Sequence, residues 1–222
     1  MTDGSPALPR PARPQRPRPD FYRRGEQRVE RFLEAATEVF LEKGYRDARL
    51  TDVVARSGGS LSTLYSAYGD KQGLALAIMD RSIAAFGASL DLLDGSQLPP
   101  PQALPEAAER MVAETLSPGR IVTHRIVIAE GLNFPELRDW FMEHGVAPAE
   151  RRLSAWFERE RVAGRLVLEH ASVAANRFYM MVFGGVILRS VNGQIGAADL
   201  PRIQQEAREA VSIFLEGVLP RA

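Results

Sequence analysis

Apolar side chains recur three and four positions apart along most of this 222-residue chain, which is the spacing of one face of an α-helix. The first such segment covers residues 27–43, and a longer one covers residues 71–93. Further helices are predicted at residues 103–116, 121–132, 135–145, 148–164, 171–192 and 200–219. The apolar run 165–168 has the composition of a strand, but no second candidate strand could pair with it, so we interpret it as a linker. The pattern therefore predicts an all-α fold.

Between the first two long segments, residues 50–74 favour two short helices joined by a tight turn. Thr51 is expected to cap the first helix, and Gly58 to supply left-handed backbone just past its end. Ser60 is expected to cap the second helix. The small side chains on the exposed face of that helix are Ser62, Thr63, Ser66 and Ala67. Such a face can enter the major groove of DNA, so the pattern fits a helix-turn-helix and an ordinary helical hairpin about equally well.

The residues around this turn resemble the signature of the TetR/AcrR family of bacterial transcriptional regulators. The matching positions are Gly58, Ser60, Thr63, Leu64, Tyr65, Tyr68, Lys71 and Leu74. The departures are Gly59, Leu61, Ser62 and Tyr68, where valine, a basic residue, glycine and phenylalanine are usual. The resemblance covers residues 28–80 and implies an N-terminal three-helix DNA-binding head. It also implies a C-terminal helical domain that binds a ligand and dimerises.

Three parts are therefore expected along the chain. Residues 25–70 form the helix-turn-helix head and residues 71–222 the effector-binding and dimerisation domain. Residues 1–24 form a disordered arm, because prolines at 6, 9, 11, 14, 17 and 19 forbid a helix there. This arm is also rich in arginine. It could lie in a minor groove or along phosphates, or it could be an inert leader, and both alternatives stay open.

Composition narrows the classes of function. The 28 basic and 28 acidic residues balance to a net charge of zero, so overall charge does not indicate a nucleic-acid partner. The absence of cysteine excludes disulfides and cysteine-ligated metal sites. The longest apolar run, residues 178–188, is shorter than the roughly 20 residues that span a bilayer, and the amino terminus lacks the apolar segment of a secretory signal. We therefore expect a cytoplasmic protein with no membrane partner.

Signals for catalysis are weak. The three histidines, His124, His144 and His170, are too scattered for a pair of metal ligands on one helix, and no catalytic motif is present. An enzyme is the least supported class of function. We expect no catalytic residue, no metal and no cofactor.

Candidate DNA contacts lie on and around the second helix of the turn. The residues expected to face base edges are Ser60, Leu61, Ser62, Thr63 and Ser66. Leu61 could contact a thymine methyl group, and the hydroxyls bond permissively, so no base identity can be assigned. The resemblance implies contacts to the DNA backbone by Thr51, Tyr65 and Lys71, with the Lys71 ammonium at the start of the next helix.

The second domain carries candidates for a ligand pocket and a dimer interface. Large apolar residues at helical spacing are more often plain core, but the expected ligand contacts are Phe86, Leu90, Met111, Trp140, Trp156 and Phe178. The last two helices carry wide apolar stripes, and the resemblance implies that they pair with a second copy as a four-helix bundle. The expected interface residues are Phe178, Met181, Gly185, Ala207, Val211, Phe214 and Val218.

These inferences predict a homodimeric DNA-binding regulator, and most readily a repressor that a small apolar or amphipathic ligand releases from its operator. Its expected partners are double-stranded operator DNA, a second copy of itself and an unidentified small-molecule effector. The alternative is a helical ligand-binding or adaptor protein whose head no longer binds DNA. The long helix over residues 71–93 is expected to transmit ligand binding to the head.

Overall fold

The structure, a computed structural model, describes residues 20–220, with side chains from Val29 onward. Every regular element in this part of the chain is helical, which confirms the predicted all-α fold. The helices are α1 (Asp20–Asp47), α2 (Leu50–Ser57), α3 (Leu61–Tyr68), α4 (Lys71–Gly95), α5 (Pro100–Thr115), α6 (Pro118–Ala129), α7 (Pro135–Phe141), α8 (Ala147–Val162), α9 (Ala171–Tyr179), α10 (Gly185–Val191) and α11 (Leu200–Val218). Helix α1 begins earlier than predicted and takes in residues 20–24 of the expected arm, whose remainder lies outside the described residues.

Several helices are interrupted or joined by irregular turns. Gly44, with φ 76° and ψ 164°, breaks α1 at the position where the sequence pattern ends the first helix. A π-helical segment, Met142–Val146, joins α7 to α8, and a second, Met180–Gly184, joins α9 to α10. Residues 165–168 form a linker, as predicted, and the Val167 N–H donates to the carbonyl of Val218 at 2.7 Å.

The buried side chains form two clusters that α4 connects. The head cluster joins α1, α2, α3 and the first half of α4, where Leu74 and Ile78 are buried. It also includes parts of α6 and α7, which the sequence pattern assigns to the second domain. The second cluster joins α5, α8, α9 and α11 to the second half of α4, including Phe86 and Leu90. Helix α4 is thus a structural member of both halves of the molecule.

Two helical stretches are long and apolar enough to cross a membrane by length and composition alone. They are Lys71–Gly95 and Ala171–Val191. Many of their apolar side chains are buried in the two clusters, and the core helices of a folded protein meet the same criterion.

Candidate DNA-binding and ligand-binding sites

The turn between α2 and α3 has the local chemistry that the sequence predicts. Gly58 adopts φ 69° and ψ 24°, and its N–H donates to the carbonyl of Val54 at 3.1 Å. The Ser60 hydroxyl caps α3 by accepting the N–H of Thr63 at 3.2 Å. Thr51, however, does not cap α2. The carboxylate of Asp52 accepts the N–H of the residue before the helix at 3.3 Å, which leaves Thr51 exposed in the first turn.

Helix α3 presents one side to the core and the other to solvent. Leu64 is fully buried, and Tyr68 is half-buried with its hydroxyl donating to the carbonyl of Val29 at 2.9 Å. Among the residues predicted to contact DNA, the exposed ones on or next to α3 are Ser60, Leu61, Ser62, Tyr65 and Ser66. Thr63 is half-buried, with its hydroxyl 2.8 Å from that of Ser60. The exposed face of α3 is therefore uncharged, and its side chains are small apart from Leu61 and Tyr65.

Lys71 has a structural role that the sequence did not reveal. Its ammonium donates to the carbonyls of Tyr45, Arg46 and Ala48 at 2.9, 3.0 and 3.2 Å, and it lies 4.7 Å from the centre of the Tyr45 ring. Burial lowers the pKa of Lys71, while Asp47 and Glu130 act in the opposite direction. Because an ammonium has three N–H donors and all three are used, the predicted phosphate contact of Lys71 is not available in this arrangement.

Most basic side chains around the helix-turn-helix are already paired. Lys43 contacts Asp52 at 2.8 Å, Arg56 contacts Glu42 at 2.7 Å, and Arg46 contacts Glu130 at 3.1 Å. Arg49 is different: it is exposed just before α2, and none of the described carboxylates forms an ion pair with it. Sequence reasoning missed Arg49, although its place before a helix N-terminus on the head could have drawn attention to it as a phosphate contact.

A cavity of about 230 Å³ lies between α4, α6, α8 and α9. The first π-helical segment, Met142–Val146, forms part of its wall. Apolar side chains such as Phe86 and Leu153 line much of it, and Arg120 and Tyr179 are among its polar lining residues. A molecule of modest size with an apolar body fits a cavity of this kind.

Of the six predicted ligand contacts, Phe86 alone lines this cavity, whereas Leu90 lines an adjoining cleft. Met111, Trp156 and Phe178 are buried in the packed second cluster. Trp140 packs against the head cluster and stacks on His144, with ring centres 4.6 Å apart. The other predicted residues lie away from the cavity because helical spacing of large apolar residues identifies burial, and close packing leaves most buried residues away from any cavity.

Arg120 is the most unusual residue of the cavity. Its side chain is 4% exposed, yet none of the described carboxylates lies within ion-pair distance of it. Its guanidinium carbon lies 4.6 Å from the ring centre of Phe86 and 5.2 Å from that of Phe141, and its Nε atom has no hydrogen-bond partner. Burial raises the pKa of the neighbouring Tyr179 phenol, and Arg120 acts against that shift. The cavity thus contains a buried cation without a counter-charge.

His124 lies one turn after Arg120 on α6 and is also 4% exposed. Its Nδ1 atom has no hydrogen-bond partner, and its ring lies edge-on to Phe141 at 6.1 Å. Burial, aided by the charge of Arg120, lowers the pKa of His124 to about 3, so the imidazole is neutral at physiological pH. Among the side chains that the structure describes, residues 29–220, no group of three or more potential ligands could hold a metal ion.

The predicted dimer interface is divided between the surface and the interior. Phe178, Ala207, Val211 and Phe214 are buried within the chain, and the rings of Phe178 and Phe214 pack at 5.4 Å. Met181 and Gly185 are exposed and Val218 is half-buried. Further exposed apolar side chains on these helices are Val173, Leu188 and Ile213. We refer to Val173, Met181, Gly185, Leu188 and Ile213 as the α9–α11 face.

Both halves of the chain match known protein families. Residues 32–78 match the bacterial regulatory proteins of the tetR family, and residues 102–217 match the C-terminal domain of AefR-like transcriptional repressors. A stretch of 56 residues is 38% identical to the HTH-type transcriptional repressor ComR of Escherichia coli (strain K12). This match covers 25% of the chain, which in turn spans about a quarter (27%) of the length of ComR.

Solved structures of similar fold cover nearly the whole chain. A TetR-family transcriptional regulator from Mesorhizobium loti MAFF303099 superposes with a TM-score of 0.73 at 19% identity, covering 89% of this chain and 99% of that one. The flavonoid-responsive regulator FrrA gives a TM-score of 0.60 at 26% identity, covering 89% and 100%. A γ-butyrolactone receptor, described as an ArpA-like protein, gives 0.67 at 18% identity, covering 89% and 90%.

Proposed function

Because the chain belongs to the TetR family of bacterial regulatory proteins, we propose that it is a DNA-binding transcriptional repressor that a small ligand releases from its operator. Helix α3 enters the major groove, and its exposed small side chains face base edges. Tyr65, Thr51 and Arg49 contact the DNA backbone. A protein of this function works in the cytoplasm, where the chromosome is.

One observation carries this proposal: α4 belongs to both buried clusters. Its first half, with Leu74 and Ile78, packs against α1 and α3 in the head cluster, and its second half places Phe86 in the cavity wall. A ligand that shifts Phe86 must therefore tilt or slide a helix that supports α3. Packed cores respond to such shifts as units, so the movement reaches the head.

A second copy of the chain is the other expected partner. Operators read by two helix-turn-helix heads place half-sites about 34–36 Å apart, so the distance between two α3 helices decides the affinity. The exposed α9–α11 face is an apolar surface on which a second copy fits. A ligand-driven tilt of α4 then changes the distance between the heads and weakens binding to the operator.

The named relatives support a ligand-responsive repressor without identifying this chain's effector. ComR is a transcriptional repressor, FrrA responds to flavonoids, and the ArpA-like protein is a receptor for γ-butyrolactone. Each of these descriptions belongs to the relative, and none gives the ligand of this chain.

The proposal is tested by footprinting the protein on DNA taken from upstream of its own gene. The wild type should protect a segment with two half-sites. Ser62→Asp should abolish protection, because it adds a negative charge to the exposed face of α3 next to the phosphates. Gln97→Asp adds the same charge on the exposed connection between α4 and α5 and should leave the footprint unchanged.

The alternative of an adaptor with an inactive head predicts a different result. The protein would fold and dimerise but protect no upstream DNA, and Ser62→Asp would behave like Gln97→Asp. The repressor proposal also requires reciprocity: an effector that weakens DNA binding must itself bind the DNA-bound protein more weakly, by the same factor. Calorimetry with and without operator DNA measures both factors.

A further inference from the structure

We propose that the cavity selects an amphipathic monocarboxylate and that Arg120 is the residue that binds its carboxylate group. This inference rests on the ligand-released repressor proposed above and names the chemistry of its ligand. The apolar part of the ligand occupies the space between Phe86, Leu153 and Ala175. A phenylalkanoate or a medium-chain alkanoate has this combination of one anionic group and one apolar body.

Arg120 brings a positive charge into the interior of the protein. A guanidinium stays protonated in proteins, and burying it without a counter-ion is unfavourable. The two aromatic rings near it supply only a weaker, cation–π attraction, and they leave its Nε donor unpaired. A carboxylate is the natural partner, because its two oxygens accept the parallel N–H donors of a guanidinium.

No carboxylate among the described residues serves as that partner. Glu150 lines the cavity but is exposed, and the carboxylate of Glu114 acts on Arg120 only through its charge. Neither lies within ion-pair distance of the guanidinium. The other buried side chain with a full charge among the described residues, Glu160, is 2% exposed and is paired with Arg165 at 2.5 Å. Arg120 borders this cavity and the adjoining cleft, so a ligand held in that space can supply its counter-ion.

The volume and the charges of the cavity restrict the size and charge of its ligand. A cavity of about 150 Å³ suffices to hold benzene, so 230 Å³ accommodates a ring with a short chain or an alkyl chain of comparable volume. The exposed carboxylate of Glu150 at the wall disfavours a second negative charge on the ligand. Ser172 and Asn176 are the other exposed polar residues of the lining, and both are neutral. A monocarboxylate fits better than a dicarboxylate.

The backbone around the cavity also has a feature that is common at functional sites. Gly145 and Val146 line it from within the π-helical segment Met142–Val146, and Tyr179 lines it directly before the segment Met180–Gly184. Such π-helical insertions in α-helices are frequent at functional sites. Arg120 itself lies in the first turn of α6, where the helix dipole adds to the positive potential that a carboxylate would meet.

The experiment compares carboxylates with their neutral amides. Benzoate, 3-phenylpropanoate and octanoate are titrated by calorimetry against the full chain, each beside its primary amide. We expect the best carboxylate to bind at least tenfold more tightly than its amide. Arg120→Gln should remove this preference, whereas Arg152→Gln should retain it, because the Arg152 guanidinium already binds Asp91 and Asp94 at 2.6 Å.

A variant that keeps Arg120 provides an independent readout. Glu150→Gln should tighten carboxylate binding several-fold and leave amide binding unchanged, because it removes a negative charge from the wall. In the ligand-free protein, Arg120→Met should raise Tm, since it removes an unpaired buried cation that only a ligand would neutralise. Equal affinity for carboxylates and amides, or no carboxylate binding by any of the three probes, would overturn the proposal, as would a lowered Tm for Arg120→Met.

Failure of this inference is distinguishable from failure of the proposed function. If carboxylates bind through Arg120 but footprints persist in their presence, ligand recognition stands and ligand-driven release is wrong. If amides bind as well as carboxylates and both remove the footprint, regulation stands and recognition of an anion is wrong.

Discussion

At the scale of single residues, the absence of a side chain at Gly59 leaves room for the ring of Phe32. A Cβ atom at Gly59 would lie 2.3 Å from Cζ and 2.6 Å from Cε1 of Phe32, whose ring is fully buried. We therefore expect Gly59→Ala to lower the free energy of unfolding by about 1–3 kcal/mol through overpacking. Phe32→Leu should relieve the overlap. The double variant should therefore lose less unfolding free energy than the two single variants lose together. Denaturant unfolding of the four proteins measures this coupling.

Gly58 is the matched control for that cycle. Its φ of 69° disfavours alanine, but no atom lies within 4 Å of a Cβ built there. Gly58→Ala should cost about 1 kcal/mol through backbone strain alone, and Phe32→Leu should not rescue it. If Phe32→Leu rescued both alanine variants equally, packing against the Phe32 ring would not be the reason for glycine at position 59.

His124 makes stability depend on pH. Its pKa is about 3 in the folded protein and near 6.5 when unfolded, so the unfolded chain binds more protons between these values. Stability is therefore retained above pH 6.5 and falls as the pH falls towards 3. At pH 5.5 the loss from this group is about 1.4 kcal/mol. Comparing unfolding at pH 7.5 and 5.5, His124→Gln should lose less stability than the wild type, whereas the exposed His170→Gln should behave like the wild type.

At this scale, most local chemistry was predictable, the cap assigned to Thr51 being the exception, and distant contacts were not. Gly58 and Ser60 were assigned correctly because a left-handed turn and a helix cap depend on neighbouring residues only. The partners of Lys71 and the unpaired charge of Arg120 depend on residues far along the chain, and no sequence spacing encodes them. The same holds for which apolar residues line a cavity.

At the scale of elements, Lys71 fastens the start of α4 to the connection between α1 and α2. Lys71→Met would leave the carbonyls of Tyr45, Arg46 and Ala48 without these donors. We expect a loss of about 1–3 kcal/mol in unfolding free energy, with DNA binding weakened only because the head is less well ordered. Tyr65→Phe should do the reverse: unfolding should be unchanged, and affinity for all DNA sequences should fall because a backbone contact is lost.

Denaturation and DNA titration of these two variants distinguish a structural role from a contact with the DNA backbone for each residue. If the Lys71→Met protein kept wild-type stability but bound DNA more weakly, the result would support the phosphate contact predicted from the sequence. A destabilised Tyr65→Phe protein would show instead that the exposed phenol supports the fold.

The positions of the helices were predictable from apolar spacing, but the partners of their faces were not. The spacing identifies the apolar side of α11, yet Ala207 and Val211 on that side pack within the chain. Periodicity does not distinguish a face that the same chain covers from a face that a second copy covers. For the same reason it gave no sign that α6 and α7 join the head cluster.

At the scale of the whole molecule, α6 offers a second connection between the cavity and the head. Arg120 in its first turn lines the cavity. Further along, Arg125 donates to the carbonyl of Leu41 in α1 at 3.0 Å and to that of Val191 in α10 at 3.1 Å. In the proposed switch, a ligand that draws Arg120 towards the cavity would therefore act on the head through α6 as well as through α4. Because α10 adjoins the α9–α11 face, the same contact reaches the proposed dimer surface.

Assembly through the α9–α11 face makes a specific prediction for Ile213, which is 62% exposed in the single chain. Ile213→Asp should leave the fold of the protomer intact, because an exposed aspartate is solvated. In a dimer the same carboxylate would be buried against apolar side chains, which is unfavourable enough to separate the subunits. Sedimentation should then report a monomer, and operator affinity should collapse because the two half-sites are no longer engaged together.

Leu132→Asp supplies the control, since Leu132 is 92% exposed and lies just after α6, outside the α9–α11 face. It introduces the same charge in place of an exposed apolar side chain and should remain dimeric with a normal footprint. Phe214→Asp, although Phe214 was predicted at the interface, should unfold the protomer instead, because that ring is buried against Phe157 and Phe178. If the Ile213→Asp protein stays dimeric, the interface lies on another surface, because a charge at this position is incompatible with an apolar contact there.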